Sequence, residues 1–221
     1  MSREQDEEFK CALEAAVAGF GIDRLTGEQT ARLGKHYAML CRWNQRLNLT
    51  RITEPQAAAS LHYAESLFGA RFIAGGHTLL DIGSGAGFPS IPLAVARPDV
   101  QVTALEANQK KSLFLKEAKD ELELANFKVV TSRLEDFDWD GYELLTSRAL
   151  DRAETTLPSV IERLSPKQRL MLYCAPDLMA KIEGKVRSKI DTHRIPNSEA
   201  RLIAIFSAEW TTDRTDLKDS H

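Results

Sequence analysis

Apolar positions fall at helical spacing through the first seventy residues and then in short runs separated by turns. The pattern predicts helices first and a strand-helix alternation after them. Glu4 to Phe20 reads as a helix ending near Gly19 and Gly21. Thr26 with Gln29 has the form of a capping box opening a second helix to about Leu47, and Thr53 with Gln56, with Pro55 in the first turn, opens a third that ends near Gly69. From Thr78 the expected order is strand 78–82, helix 89–97, strand 100–105, helix 108–124, strand 127–131, strand 142–146, helix 153–164, strand 169–174 and helix 176–188. Two late strands, 190–195 and 201–207, join through Pro196-Asn197-Ser198 as a terminal hairpin. This order predicts an α/β fold with a seven-stranded, mostly parallel sheet. It divides the chain into an N-terminal helical cap (1–70), a sheet domain (71–209) and a polar tail (210–221).

Between the first strand and the next helix lies Asp81-Ile82-Gly83-Ser84-Gly85-Ala86-Gly87-Phe88-Pro89, a glycine turn where a nucleoside would sit. Its spacing is G-x-G-x-G, with Phe88 where a dinucleotide fingerprint has its third glycine, so a pyrophosphate is a poor fit. S-adenosylmethionine fits better: it has no phosphates, and its amino-acid end can use turn amides and a nearby carboxylate. Val100 to Leu105 alternates like a buried strand, and Glu106 ends it 23 residues after Gly83, the separation at which a βαβ unit delivers a carboxylate to ribose hydroxyls. Gly83, Gly85, Gly87, Phe88 and Glu106 are therefore candidate cofactor residues; a nicotinamide-binding fold is the rival for this segment.

Composition narrows the class. With 43% hydrophobic content in 221 residues the chain can bury a normal core, and it contains no run of about 20 apolar residues. Met1 to Glu8 is acidic and unlike a secretory signal, and Cys11, Cys41 and Cys174 form neither a disulfide framework nor a zinc pattern, so a cytoplasmic protein away from membranes is expected. Net charge is −3, yet residues 29–53 hold Arg32, Lys35, Arg42, Arg46 and Arg51 without an acid, and residues 163–201 hold nine bases against four acids. Two basic segments flanking a cofactor fold suit a polyanion; solvated helix faces produce the same runs.

In such sheets ligands lie beyond the carboxyl ends of the strands. After the third strand come Ser132-Arg133-Leu134-Glu135-Asp136, where the backbone of Leu134 and Glu135, or the Glu135 carboxylate, can pair with an adenine edge. After the fourth come Ser147-Arg148-Ala149. Arg148 is placed to hold a substrate phosphate or base, or else to form an ion pair with Glu106 or Glu135.

The runs 79–94, Lys110-Lys111-Ser112-Leu113-Phe114-Leu115, Ser132-Arg133-Leu134-Glu135 and Ser147-Arg148-Ala149 resemble the ribosomal RNA small subunit methyltransferase G family, also called glucose-inhibited division protein B. Tyr37, Trp43-Asn44, Leu47-Asn48-Leu49-Thr50 and His62 with Glu65-Ser66-Leu67 are similar to its helical entry segment, so the likeness spans roughly 37–150. The resemblance implies a Rossmann-like class I S-adenosylmethionine-dependent methyltransferase acting on N7 of a guanine in small-subunit (16S) ribosomal RNA. It implies cofactor contacts at Gly83, Phe88, Leu134, Glu135 and Arg148. The expected partner is that RNA or a ribosomal particle, met by a monomer, with Arg42, Arg46, Arg51, His62, Lys110 and Lys111 as candidate RNA contacts. The chain departs from the family at Glu65, where Asp is usual, and at Tyr173-Cys174-Ala175-Pro176, where the family carries Lys-Gly; Lys181 is a substitute cation.

The residues agree with N7 chemistry. N7 has a lone pair and no proton, so transfer needs positioning and no general base. The fourth strand ends Leu145-Thr146-Ser147-Arg148 without the Asn-Pro-Pro-aromatic motif of amine methylation, and Cys174 reads as a small buried hydrophobe instead of a nucleophile. N7 lies deep in the A-form major groove, so the target must be unpaired or extruded. Trp43 and Tyr37 are stacking candidates, although the spacing of Tyr37 with Leu33 and Leu40 favours core, and His62 either touches phosphate or is packed and hydrogen-bonded under the cap. A small-molecule methyltransferase and a dehydrogenase-type nucleotide binder are the alternative classes.

Overall fold

The computed structural model describes residues 3–148, 153–198 and 200–208; Ala149 and the tail 210–221 lie outside them. Helices α1 (Arg3–Gly19) and α2 (Gly27–Leu47) open the chain. Phe9, Leu13 and Val17 are buried along α1, one turn apart, and Phe20 just past its end is buried as well. The Thr26 capping box forms as expected, with Gln29 N–H on Thr26 Oγ1 (3.2 Å) and Thr26 N–H on Gln29 Oε1 (2.9 Å). The next helix is capped one residue later than its sequence suggests: Glu54 accepts from the amides of Gln56 and Ala57, while the Thr53 carbonyl accepts the Tyr37 hydroxyl at 2.6 Å. That helix is α3 (Pro55–Ala58), then a π-helical turn (Ala59–Ala64), then α4 (Glu65–Phe68), and it tightens into a 3₁₀ turn (Gly69–Phe72).

The sheet comprises β1 (Thr78–Ile82), β2 (Gln101–Leu105), β3 (Phe127–Val130), β4 (Leu144–Arg148), β5 (Arg169–Cys174), β6 (Ser188–Arg194) and β7 (Leu202–Ala208). Their order is β3-β2-β1-β4-β5-β7-β6. The first five run parallel, and the terminal hairpin adds β7 antiparallel to β5 with β6 outermost. Helices α5 (Ser90–Ala96), α6 (Gln109–Glu121), α7 (Ala153–Glu162) and α8 (Pro176–Glu183) connect the strands. Strand β4 starts two residues later than the pattern predicts, because Glu143 turns its carboxylate onto the Thr78 amide (2.8 Å) and pairing begins at Leu144 opposite Leu79. Ser147 and Arg148 thus belong to the strand's end.

Successive side chains of β1 feed opposite faces. Leu79 joins a core with the cap, α5 and α6, whereas Leu80 and Ile82 join a second core under α7 and α8. Among the described residues no helix is long and apolar enough to cross a membrane.

Candidate active site

Chain progression reverses at β1, which has β2 on one side and β4 on the other, so the connections leave in opposite directions and open a crevice at the strands' carboxyl ends. The glycine turn fills its floor. Gly83, Gly85 and Gly87 have φ of 72°, 55° and 86°, the left-handed region that glycine enters without strain. At Gly87 space is a second constraint, since a Cβ there would lie 2.4 Å from Ile91 Cδ1.

Four of the turn's amides are already engaged. Gly83 and Ser84 both donate to the Leu105 carbonyl (2.9 and 3.1 Å), Gly87 donates to Ser84 (2.7 Å), and Gly85 donates to Glu106 Oε2 (2.8 Å). The other Glu106 oxygen accepts from Asn108 N–H at 2.8 Å, so this nearly buried carboxylate is fixed in orientation with lone pairs remaining. The carbonyls of Gly83 and Gly85 accept no hydrogen bond among the described residues. Asp81 is fully buried; Ser84 Oγ donates to its Oδ2 (2.6 Å), and Oδ1 has no partner. Burial pushes its carboxyl up to about 6, against the pull of Ser84 and Ser90. A floor offering two free carbonyls and two carboxylates, with four of its N–H groups engaged, favours a cationic ligand over a phosphate. Beside the carboxylates, the turn thus presents the carbonyls of Gly83 and Gly85 as acceptors.

Phe88 does not face the crevice openly. It is 7% exposed, stacked on His62 (centroids 4.6 Å, 18°) and edge-on to Tyr63 and His36. His36, which the sequence did not single out, is wholly buried on α2 and joins the cap to the turn: its Nε2 bonds the Ala86 carbonyl (3.1 Å) and its Nδ1 bonds the Tyr63 hydroxyl (2.9 Å). Burial lowers its pKa to about 3, so the neutral ring donates through Nε2 and accepts through Nδ1. His62 bonds Thr50 Oγ1 at 2.8 Å and is likewise lowered to about 3, first by burial and then by Arg148 and Arg201. Stacked on Phe88 and hydrogen-bonded to Thr50, it has the contacts of the packed reading.

Arg148 has neither expected acid as partner. Its guanidinium reaches the cap, donating to Glu65 Oε2 (2.9 Å), to Ser66 Oγ (3.2 Å) and to the carbonyls of Leu61 and His62 in the π turn. Arg201, entering β7, donates to the same Glu65 oxygen at 2.9 Å, and Glu65 Oε1 is buried without a partner. Burial pushes the Glu65 carboxyl up while the two guanidiniums pull it down. At the family's Lys-Gly position, Tyr173 donates its hydroxyl to the Ser66 carbonyl (2.9 Å) and lies against Gly69, where a Cβ would fall 1.9 Å from that oxygen. The sequence offered no signal for His36, Tyr63 or Arg201 as parts of one site, since each enters through tertiary packing.

The other candidates fall around this centre. Leu134 and Glu135 form a 3₁₀ turn beyond β3, Leu134 half-buried and Glu135 exposed. Arg42, Arg46, Arg51 and Lys110 are exposed and Lys111 is half-buried; Arg42 lies 3.6 Å from Glu117 of α6, which also accepts from Trp43 Nε1 (3.1 Å). Tyr37 is core, stacked on Phe9 at 4.1 Å. Lys181 pairs with Glu154 of α7 (3.0 Å), and the buried Cys174 thiol is pushed up to about 12, unfit for nucleophilic attack.

A family model described as rRNA small subunit methyltransferase G matches residues 29–197. The ribosomal RNA small subunit methyltransferase G of Xanthomonas oryzae pv. oryzae is 37% identical over 208 residues, covering 91% of this chain and 96% of the relative. That of Chromobacterium violaceum is 44% identical over 138 residues, covering 62% and 66%. Among solved structures, a ribosomal protein L11 methylase from Lactobacillus delbrueckii subsp. bulgaricus aligns with a TM-score of 0.56 at 17% identity, over 68% of this chain and 80% of that one. A precorrin-6y C5,15-methyltransferase from Geobacter metallireducens aligns at 0.52 and 15%, over 71% and 90%. These two likenesses bear on the fold alone.

Proposed function

The chain belongs to the ribosomal RNA small subunit methyltransferase G family, whose reaction uses S-adenosylmethionine, and we propose that it methylates N7 of a guanine in small-subunit ribosomal RNA. The observation that carries this reading is the crevice floor: free carbonyls at Gly83 and Gly85, a fixed Glu106 and an unpartnered Asp81 oxygen. Bound there, S-adenosylmethionine supplies a methyl group on a sulfonium, electrophilic enough for a neutral nitrogen to accept it.

Each residue then has a task. Glu106, held by Gly85 and Asn108, offers lone pairs to the ribose hydroxyls, while Asp81 and the turn carbonyls accept from the ammonium end. Leu134 and Glu135 flank the adenine. Arg148, pinned to the cap, fixes the π turn and His62 over the floor, so it positions these groups and does not itself grip the cofactor. No side chain need remove a proton, because N7 carries none; rate comes from alignment, for which effective-molarity effects supply roughly 7–11 kcal/mol. Arg42, Arg46, Arg51, Lys110 and Lys111 supply the positive rim for RNA, and the protein works as a monomer.

The test is nucleoside mass spectrometry of small-subunit RNA from cells with and without the gene. A 7-methylguanosine that disappears on deletion and returns when purified protein and S-adenosylmethionine are added is expected. Unchanged 7-methylguanosine would sink the reading.

A further inference from the structure

Helix α6 buries Ser112, Phe114, Leu115 and Ala118 and turns the opposite face outward. On that face Leu113 is 56% exposed, the one large hydrophobic residue so exposed among the described residues. A single exposed leucine is ordinary. Its surroundings are what distinguish it.

Lys110 and Lys116 stand one turn before and after Leu113, both exposed, with no ion pair among the described residues. Together with Gln109 and Thr131 at the end of β3 they line an open groove of about 490 Å³. The helix start is bound to the candidate cofactor carboxylate, because Glu106 accepts from Asn108 N–H and Asn108 caps the amides of Lys110 and Lys111. One turn beyond Leu113, Glu117 touches Arg42 and Trp43 of α2. Lys110 and Lys116 thus follow α6 from the cofactor crevice toward α2, where Glu117 meets Arg42, with the apolar Leu113 between the two lysines.

Cations at either side of an apolar contact match a single strand whose phosphates alternate with unstacked base faces. We propose that Leu113 is the apolar seat for an unstacked base of the RNA strand flanking the target guanine, with Lys110 and Lys116 holding the phosphates on either side. This rests on the RNA-methyltransferase reading above and adds the path by which the strand leaves the crevice.

The experiment is steady-state methylation of small-subunit RNA prepared from cells lacking the endogenous enzyme, with S-adenosylmethionine binding measured separately by calorimetry. Leu113→Ala is expected to raise the KM for RNA about fivefold, a loss at the lower end of what one base contact contributes. The Lys110→Ala/Lys116→Ala double variant is expected to flatten the slope of log affinity against log salt by about 1.4, at ~0.7 for each contact with a single strand. Cofactor affinity stays unchanged in both. A KM and salt slope within twofold of the unsubstituted protein in both variants overturns the assignment while leaving the methyltransferase reading intact. A sedimenting dimer that Leu113→Glu dissociates, with RNA parameters unaltered, also overturns it, by assigning the leucine to a second copy of the chain. No methylation by the unsubstituted protein overturns the underlying reading, and this proposal with it.

Discussion

Asp81 concentrates the conflict between stability and function in one side chain. Its folded carboxyl titrates near 6 instead of 3.8, so the native state holds a proton that the unfolded chain has released across that interval. A raised carboxyl pKa favours folding at low pH, and this contribution is lost as pH climbs through 6, leaving a buried charge with one oxygen unpartnered. Asp81→Asn removes that charge. It should stabilise the protein at pH 8 relative to pH 4 by ~3 kcal/mol at most, one pKa unit being worth 1.36 kcal/mol. His36 and His62, both lowered to about 3, give the opposite slope between pH 3 and 6.5 in parent and variant alike. The difference between the two urea midpoint curves therefore isolates Asp81. The same substitution should weaken S-adenosylmethionine binding, and parent binding should fall as pH drops below 6 and Asp81 neutralises. Parallel stability curves, or calorimetric affinity indifferent to both pH and Asn, would contradict the assigned role.

At the level of elements, the π-helical turn Ala59–Ala64 shows what local sequence can and cannot announce. The Thr26 box and the glycine turn were legible because the residues that make them are neighbours and each satisfies its own backbone. The π turn was not, because its Leu61 and His62 carbonyls are bound by Arg148, up to 87 residues further along, a partner that local sequence does not announce. The late start of β4 has a similar origin in a distant pair, Glu143 with Thr78. If Arg148 is a strut, its counter-charge matters more than any surface acid. Glu65→Gln leaves a nearly buried guanidinium uncompensated and should cost about 3 kcal/mol of stability. Arg201→Ala breaks a pair whose cation is about a third exposed and should cost under about 1 kcal/mol. Chemical denaturation of the two variants ranks them, and equal losses would mean that Arg148 does not depend on Glu65.

Across the whole molecule, the crevice was readable from sequence because its floor is consecutive residues and its carboxylate follows at fixed separation. Its roof was not, because His36, Tyr63 and Glu65 acquire their roles only when cap and sheet pack together. That packing bears on whether the cap over residues 1–70 is a separate unit. One core runs without interruption from Phe9 and Leu33 through Tyr63 to Leu79, Phe114 and Ile203, so the cap's apolar faces are completed by the sheet's helices and by β7. Polar ties cross the same boundary: His36 to Ala86, Arg148 to Glu65, Tyr173 to Ser66. A unit that shares its core with its neighbour has no free-energy minimum of its own, so cap and sheet should melt in one transition. Trp43 sits on the cap and Trp139 is buried in the second core on the far face of the sheet, which makes the two rings independent reporters. Fluorescence of Trp43→Phe/Trp210→Phe and Trp139→Phe/Trp210→Phe variants in urea, each keeping one ring, should give coincident midpoints, with calorimetric and van't Hoff enthalpies in agreement. A Trp43 signal lost well before the Trp139 signal would show instead that the cap detaches first and that the roof of the site is a movable part.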